Sequence, residues 1–320
     1  MATNSMITRT GAEALIPEQV SNAIVQEATK SSLFLQLADR MPNMTSKQLK
    51  IPVATGLANA NWLSGDSDQK QTSNLTWDKV FITAEEIAVL VPIPEAVLDD
   101  ASYDIWGEVR PRIAEAFGKA IDEAAFFGTN KPSSFPAGII PGAVSAGNVV
   151  SWGGATKNLY EAIMGEAGVI SQVEESGLAV NGYAASLKLR AKLRGCVDAN
   201  KQPIFRAAYS NGVNGAFQYD LEGHPIHFVE NGAWDDSNGD LLVAGNFKNA
   251  KYAIRQDITY RISNEGTIAD STGKVVLSAL QNDCVILRAV MRMGWALPKP
   301  VNAIAGTNYY PFSVLRELEK

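Results

Sequence analysis

Cysteine is scarce: Cys196 and Cys284 are the only two in 320 residues, far apart and in no CxxC spacing. That excludes a disulfide framework and a cysteine zinc site, and it points to a reducing compartment. Histidine is equally rare. His224 and His227 stand three apart, so on a strand they point to opposite faces and cannot chelate one metal together. A Ser-His-Asp or Cys-His catalyst would need one of them, and no Gly-x-Ser-x-Gly elbow presents a serine. Neither GxGxxG after a strand nor GxxxxGK followed by Ser or Thr occurs, so no nucleotide-phosphate cradle is expected. Basic charge is short as well: 28 Lys and Arg against 34 Asp and Glu give a net charge of −6, with no basic block to grip a nucleic-acid sequence. Long apolar runs are missing too. The longest stretch, Ile87 to Leu98, is broken by Pro92, Pro94 and Glu95 and falls short of the roughly 20 residues that span a bilayer. The segment to Pro17 holds a single Arg9 and no apolar run, so neither signal peptide nor anchor is expected, and the protein reads as soluble and made in the cytosol.

What is present suits a large core. Apolar residues make up 46% of the chain, whereas charged residues reach only 19%, below the roughly 25% usual for globular proteins, a hint of surface buried between subunits. Val20, Ile24, Val25 and Ala28 recur at helical steps behind Pro17, an arm with one helix. Lys50-Ile51-Pro52-Val53 reads as a strand, and the polar stretch from Ala54 to Trp77 reads as a long loop of the kind that carries function. Lys79 to Val91, β-branched throughout, reads as one returning strand, so that two strands bracket the loop as an extended hairpin.

After a helical turn to Leu98, Asp104 is the expected N-cap of the longest helix, ending near Phe127 before Gly128 at C′. Trp106, Val109, Ile113, Phe117, Ala120, Ile121 and Ala124 make its apolar stripe, and Glu108/Arg112, Glu115/Lys119 and Lys119/Glu123 are charge pairs four apart. Pro111 predicts a bend or a start at that point. From Pro132 to Gly154 the chain is rich in Gly, Pro and Ser, a boundary before a second folding unit. In that unit Ala179-Val180 reads as a short strand, Asn181 as the cap of a helix to Leu193, and Pro225–Val229, Leu241–Ala244, Tyr252–Ile262 and Cys284–Leu297 as strands. Strands and helices in runs, without βαβ alternation, give an α+β class.

The acidic turn from Asp235 to Asp240 lacks the Gly and Glu of a calcium loop and reads as a solvated hairpin turn. Glu85/Glu86, Asp99/Asp100 and Glu174/Glu175 read as solvated faces and caps. Trp62 and Trp77 differ, because each sits in or beside a polar loop without a core of its own, where an aromatic suggests contact with another chain.

In order along the chain, these elements resemble the major capsid proteins of tailed bacteriophages, with the Hong Kong 97-type fold also used by encapsulin shells. Leu15-Ile16-Pro17-Glu18-Gln19-Val20 and Ser31-Ser32-Leu33 look like the N-arm, Lys50–Val53 like the strand entering the E-loop, and Ala60-Asn61-Trp62-Leu63 like its tryptophan motif, with Asp66 a loose match to the acid that follows. Val80–Ala88 and Ile93–Asp100 are similar to the returning strand and the start of the spine helix. Asp122–Gly128 with Pro136–Ile139 resembles its end and the following turn, and Arg288, Arg292, Trp295 and Lys299–Ile304 the closing strand.

The resemblance implies an N-arm (1–47), an E-loop with flanking strands (48–92), a peripheral domain with the spine helix (93–139) and a return strand (271–293), and an axial domain (140–270) completed by a C-terminal segment (294–320). It implies a structural, non-enzymatic subunit without cofactors that builds hexamers and pentamers of an icosahedral head around double-stranded DNA bound without sequence specificity. The partners implied are copies of itself, a portal, a separate scaffolding protein and a decoration protein, with no membrane; an encapsulin-type shell and a soluble enzyme are the alternatives. The expected sites are intersubunit contacts at Trp62, Asp66, Lys70 and Trp77. The closing strand carries no glutamate, so no autocatalytic isopeptide bond at a loop lysine is expected.

Overall fold

The computed structural model describes residues 32–63, 69–70, 72–100, 105–153, 158–197, 200–202, 204–205, 207–209, 217–270 and 272–318. The arm helix expected near Val20 and the Asp104 cap lie outside them.

Two sheets organise the chain. The first has four strands in the order β1 (Asp39–Arg40), β11 (Lys251–Ser263), β14 (Cys284–Ala296) and β4 (Glu85–Pro94). The second has seven: β5 (Val149–Trp152), β15 (Phe312–Glu317), β10 (Asp240–Gly245), β6 (Gly182–Ser186), β9 (His224–Val229), β8 (Phe217–Leu221) and β7 (Ala207–Tyr209). Two ribbons are separate, one of β2 (Gln48–Ala54) with β3 (Trp77–Thr83), the other of β12 (Thr267–Ala269) with β13 (Val275–Ser278).

The long helix runs Ile105–Asp122 and packs its apolar stripe, Ile113, Phe117 and Ile121, on the face of the four-stranded sheet that carries Leu287, Ala289, Met291, Met293 and Trp295. It begins before Pro111, not at it, and the proline sits inside. Its last turn widens to a π-turn, Glu123–Phe127, closed by Gly128 at φ 71°. Only a residue without Cβ adopts that φ freely. Gly138 lies directly across from it: a Cβ there would come within 2.7 Å of the Phe127 carbonyl carbon. Arg112 pairs with Glu115 at 3.6 Å, whereas Lys119 meets Glu123 at 3.8 Å as the spacing predicts.

Three expectations change. The run from Lys79 to Val91 is two strands, not one: Ala84 breaks it, donating its N–H to Lys47 O at 2.8 Å, and sends β3 and β4 into different sheets. Asn181 caps no helix; Gly182–Ser186 is the buried strand, and Ser186 caps the helix Leu187–Gly195 by accepting the Lys188 N–H. The expected unit 140–270 is shared between sheets, since β11 pairs with β14 beside β4, and residues 294–296 extend β14.

Candidate functional site

β2 and β3 pair from Gln48↔Thr83 to Ala54↔Trp77. Past them Thr55 and Gly56 donate to Thr76 O, and Asn59 N–H to Ser73 Oγ at 2.8 Å. Trp62 is 100% exposed and Trp77 66%, and Leu57, Leu63 and Leu75 are exposed beside them. Lys70 is exposed, and Asp66 lies outside the described residues. Each tryptophan presents its ring to solvent, and large exposed apolar side chains of that kind are a feature of interaction surfaces.

The hairpin base is packed on the four-stranded sheet. Met44, Ile51, Val53, Ile82 and Ala84 pack with Ala253 and Ala296 of the four-stranded sheet, and Val301 N–H bonds Ala54 O at 2.9 Å. Gly294 leaves no room for a Cβ beside the Thr83 carbonyl, which seats the ribbon on the sheet.

The arm joins the long helix at a buried carboxylate. Asp122 Oδ1 accepts the Ser32 hydroxyl at 2.7 Å and the Phe34 N–H at 2.9 Å; Oδ2 accepts the Leu33 N–H at 3.0 Å and the Asn231 Nδ2 at 2.7 Å. Burial pushes this carboxyl up against the downward pull of the four donors. Phe34, wholly buried, meets Trp295 edge-on at 5.2 Å and Phe126 at 6.2 Å. Composition and periodicity did not single out Asp122; the available signal was an acid between Ile121 and Ala124 on the apolar side of a helix.

The acidic turn is more than a solvated hairpin. Asp240 is 1% exposed and accepts both Arg316 Nε at 2.7 Å and Arg316 Nη2 at 3.2 Å, while Asp236 takes the Ser186 hydroxyl and the Lys188 ammonium. Among the described residues no three His, Cys, Asp or Glu side chains come together as metal ligands. Glu86 is exposed, as expected of a solvated acid, and it also receives Arg292 at 2.6 Å and Arg288 at 3.4 Å, arginines that hold its carboxyl below the usual range. An open cleft of about 490 Å³ between Leu33, Pro111, His227 and Asn231 separates the short helix Leu33–Leu37 from β9. Burial lowers the His227 imidazole there. No nucleophile is paired with a base in it.

The sequence matches the phage capsid family over residues 12–308. The chain belongs to the phage capsid family. It is 24% identical over 285 residues to the major capsid protein of Staphylococcus phage 80alpha, covering 88% of this chain and 81% of that one. It is 20% identical over 296 residues to that of Klebsiella oxytoca phage phiKO2, covering 92% and 67%. A solved chain of Microbacterium phage Oxtober96 superposes with a TM-score of 0.75 at 30% identity, covering 98% of this chain and 100% of that one. One of Mycobacterium phage Cain gives 0.76 at 28%, covering 99% and 100%. As in other phage capsid proteins, the fold is the α+β Hong Kong 97 type, with an E-loop ribbon (β2–β3) and a spine helix (Ile105–Asp122).

Proposed function

We infer that this chain is the major structural subunit of a tailed-phage head, assembling with copies of itself into hexamers and pentamers of an icosahedral shell. The observation that carries this is the family match over residues 12–308. An extended ribbon whose tryptophans have nothing of their own to pack on fits that role. Closed symmetric assembly multiplies many weak contacts, so modest patches suffice.

The four-stranded sheet with the spine helix would form the peripheral domain, and the seven-stranded sheet the axial domain at the capsomer centre. This assigns β11 and residues 294–296 to the peripheral side. Trp62, Asp66, Lys70 and Trp77 would contact neighbouring copies through the E-loop. Portal, a separate scaffolding protein, a decoration protein and packaged double-stranded DNA without sequence specificity are the further partners. Assembly would take place in the host cytoplasm, without enzymatic activity and without a covalent crosslink at Lys70.

Electron microscopy of the recombinant protein after size-exclusion chromatography tests the reading. Closed shells, or five-fold and six-fold capsomers, are expected; a compact particle that stays monomeric even with its phage's other head proteins would refute it. A covalent ladder from mature particles on a denaturing gel would refute the absence of crosslinking.

A further inference from the structure

Between the end of the spine helix and the start of β4 lies a cavity of about 200 Å³. Its floor is buried, with Ile121 and Ala124 on the helix side and Met293 and Trp295 on β14, and its walls include the half-buried Ile87 and Phe135. The register explains the space. β14 pairs with β4 up to Met293↔Glu85, and the chain turns away at Ala84, so Trp295 has no β4 neighbour on the helix side of the sheet. The helix widens at the same place: Glu123 and Ala124 of the π-turn line the cavity, and π-turns are rare and recur at functional sites.

Trp295 holds the deciding atom. The residue is 2% exposed, and its indole Nε1–H is buried without an acceptor among the described residues. Buried donors in folded proteins nearly always have a partner, so this one marks a place for an acceptor from outside the chain. A lone water would need several polar partners, which an apolar floor does not give it. Three carboxylates, Glu85, Glu86 and Glu123, also line the cavity, with no basic side chain among the described lining residues. Arginines offset Glu86, but Lys119 meets Glu123 only at 3.8 Å and Glu85 takes a neutral donor, the Ser134 hydroxyl, so an anion is repelled.

We propose that this cavity binds a small, uncharged, largely apolar molecule with one hydrogen-bond acceptor, an aryl ketone in its simplest form, whose oxygen takes the Trp295 indole N–H. An apolar cavity of roughly 150 Å³ holds a benzene ring, so this one has room for a ring and a short substituent. The site does not depend on the chain's role in a shell, and the two readings can fail separately.

The test titrates the full chain, labelled with ¹⁵N, with acetophenone, with its planar isostere α-methylstyrene, which lacks the acceptor, and with benzoate, which adds a negative charge. The indole N–H resonance of Trp295, assigned by its loss in Trp295→Phe, should shift and saturate with acetophenone while the other tryptophan resonances stay in place. α-Methylstyrene should bind roughly tenfold more weakly, equivalent to about 1.4 kcal/mol, and benzoate should not saturate. Trp295→Phe, followed by calorimetry, should bind the ketone and the alkene equally. Ala124→Leu fills the floor and should abolish binding of both with circular dichroism unchanged; Ala120→Leu, a half-buried lining position, makes the same test if the first variant does not fold. No saturation by acetophenone, equal affinity for the alkene in the unaltered chain, benzoate binding as tightly, unchanged binding in the folded leucine variant, or a neighbouring chain seated in the cavity of assembled shells would each overturn the proposal.

Discussion

The carboxylate of Asp122 accepts the backbone N–H of Phe34 at 2.9 Å across 88 residues of sequence. This bond and its three companions fix the first described turn of the chain to the C-terminal end of the spine helix, with the Asn231 side chain closing the set.

Replacing that acid should therefore be costly. Asp122→Leu strands the donors of Ser32, Leu33, Phe34 and Asn231, and an unsatisfied buried donor costs about 1–3 kcal/mol. We expect a loss of about 3–5 kcal/mol, measured by urea unfolding of capsomers. Asp122→Asn, which keeps some acceptors, should lose less. Equal losses would argue against the hydrogen-bond account.

Gly138→Ala should fail to fold, because the new Cβ would meet the backbone of Phe126 and Phe127, atoms that cannot swing aside. Gly147→Ala is the control. Its φ of 81° is strained for alanine, but nothing stands within 4 Å, so a cost of about 1 kcal/mol is expected. Soluble yield and melting temperature of the two variants check the contrast.

Arg316→Met should destabilise the seven-stranded sheet by about 3–5 kcal/mol, since it leaves the Asp240 carboxylate buried without its partner. Adding Asp240→Leu to Arg316→Met should recover part of that loss. A double variant no more stable than the single one would contradict the pairing argument. Chemical denaturation of both reports the difference.

Burial holds the His227 imidazole below 6.5, even though Glu115 and Glu230 line the same cleft. The folded state prefers the neutral ring. Its contribution is complete above the unfolded value of about 6.5 and is lost as pH falls from there toward the folded value. His227→Gln should flatten the fall of melting temperature below about pH 6.5; an unchanged profile would assign that fall to other groups.

Much of this was legible along the chain, where local pattern and burial agree. Trp62 and Trp77 stand among polar residues that offer no cover, and both are exposed. Strands such as β11 and β14 are marked by their apolar and β-branched content. The break at Ala84 has a signal in the sequence: the inward positions run Ile82 and Ala84, both buried, and then Ile87, Val89 and Val91, half-buried, a change of phase that a single strand cannot make. β6 is harder to see, because Gly-Tyr-Ala-Ala-Ser has no β-branched residue and earns its place only by being buried between β10 and β9. Asp122 and Asp240 depend on partners distant in sequence, which no local period encodes.

β15 is the last strand in chain order, yet it lies inside the seven-stranded sheet, parallel to β5 and antiparallel to β10. On the ribosome, the edges of β5 and β10 therefore stay unsatisfied until residues 312–317 have been translated and threaded between them. Such distant pairings form slowly. Chain termination before Phe312 would release a subunit with two adhesive edges, prone to aggregation. The sheet cannot close before those residues are made, so subunits competent to assemble arise only once Phe312–Glu317 has left the ribosome.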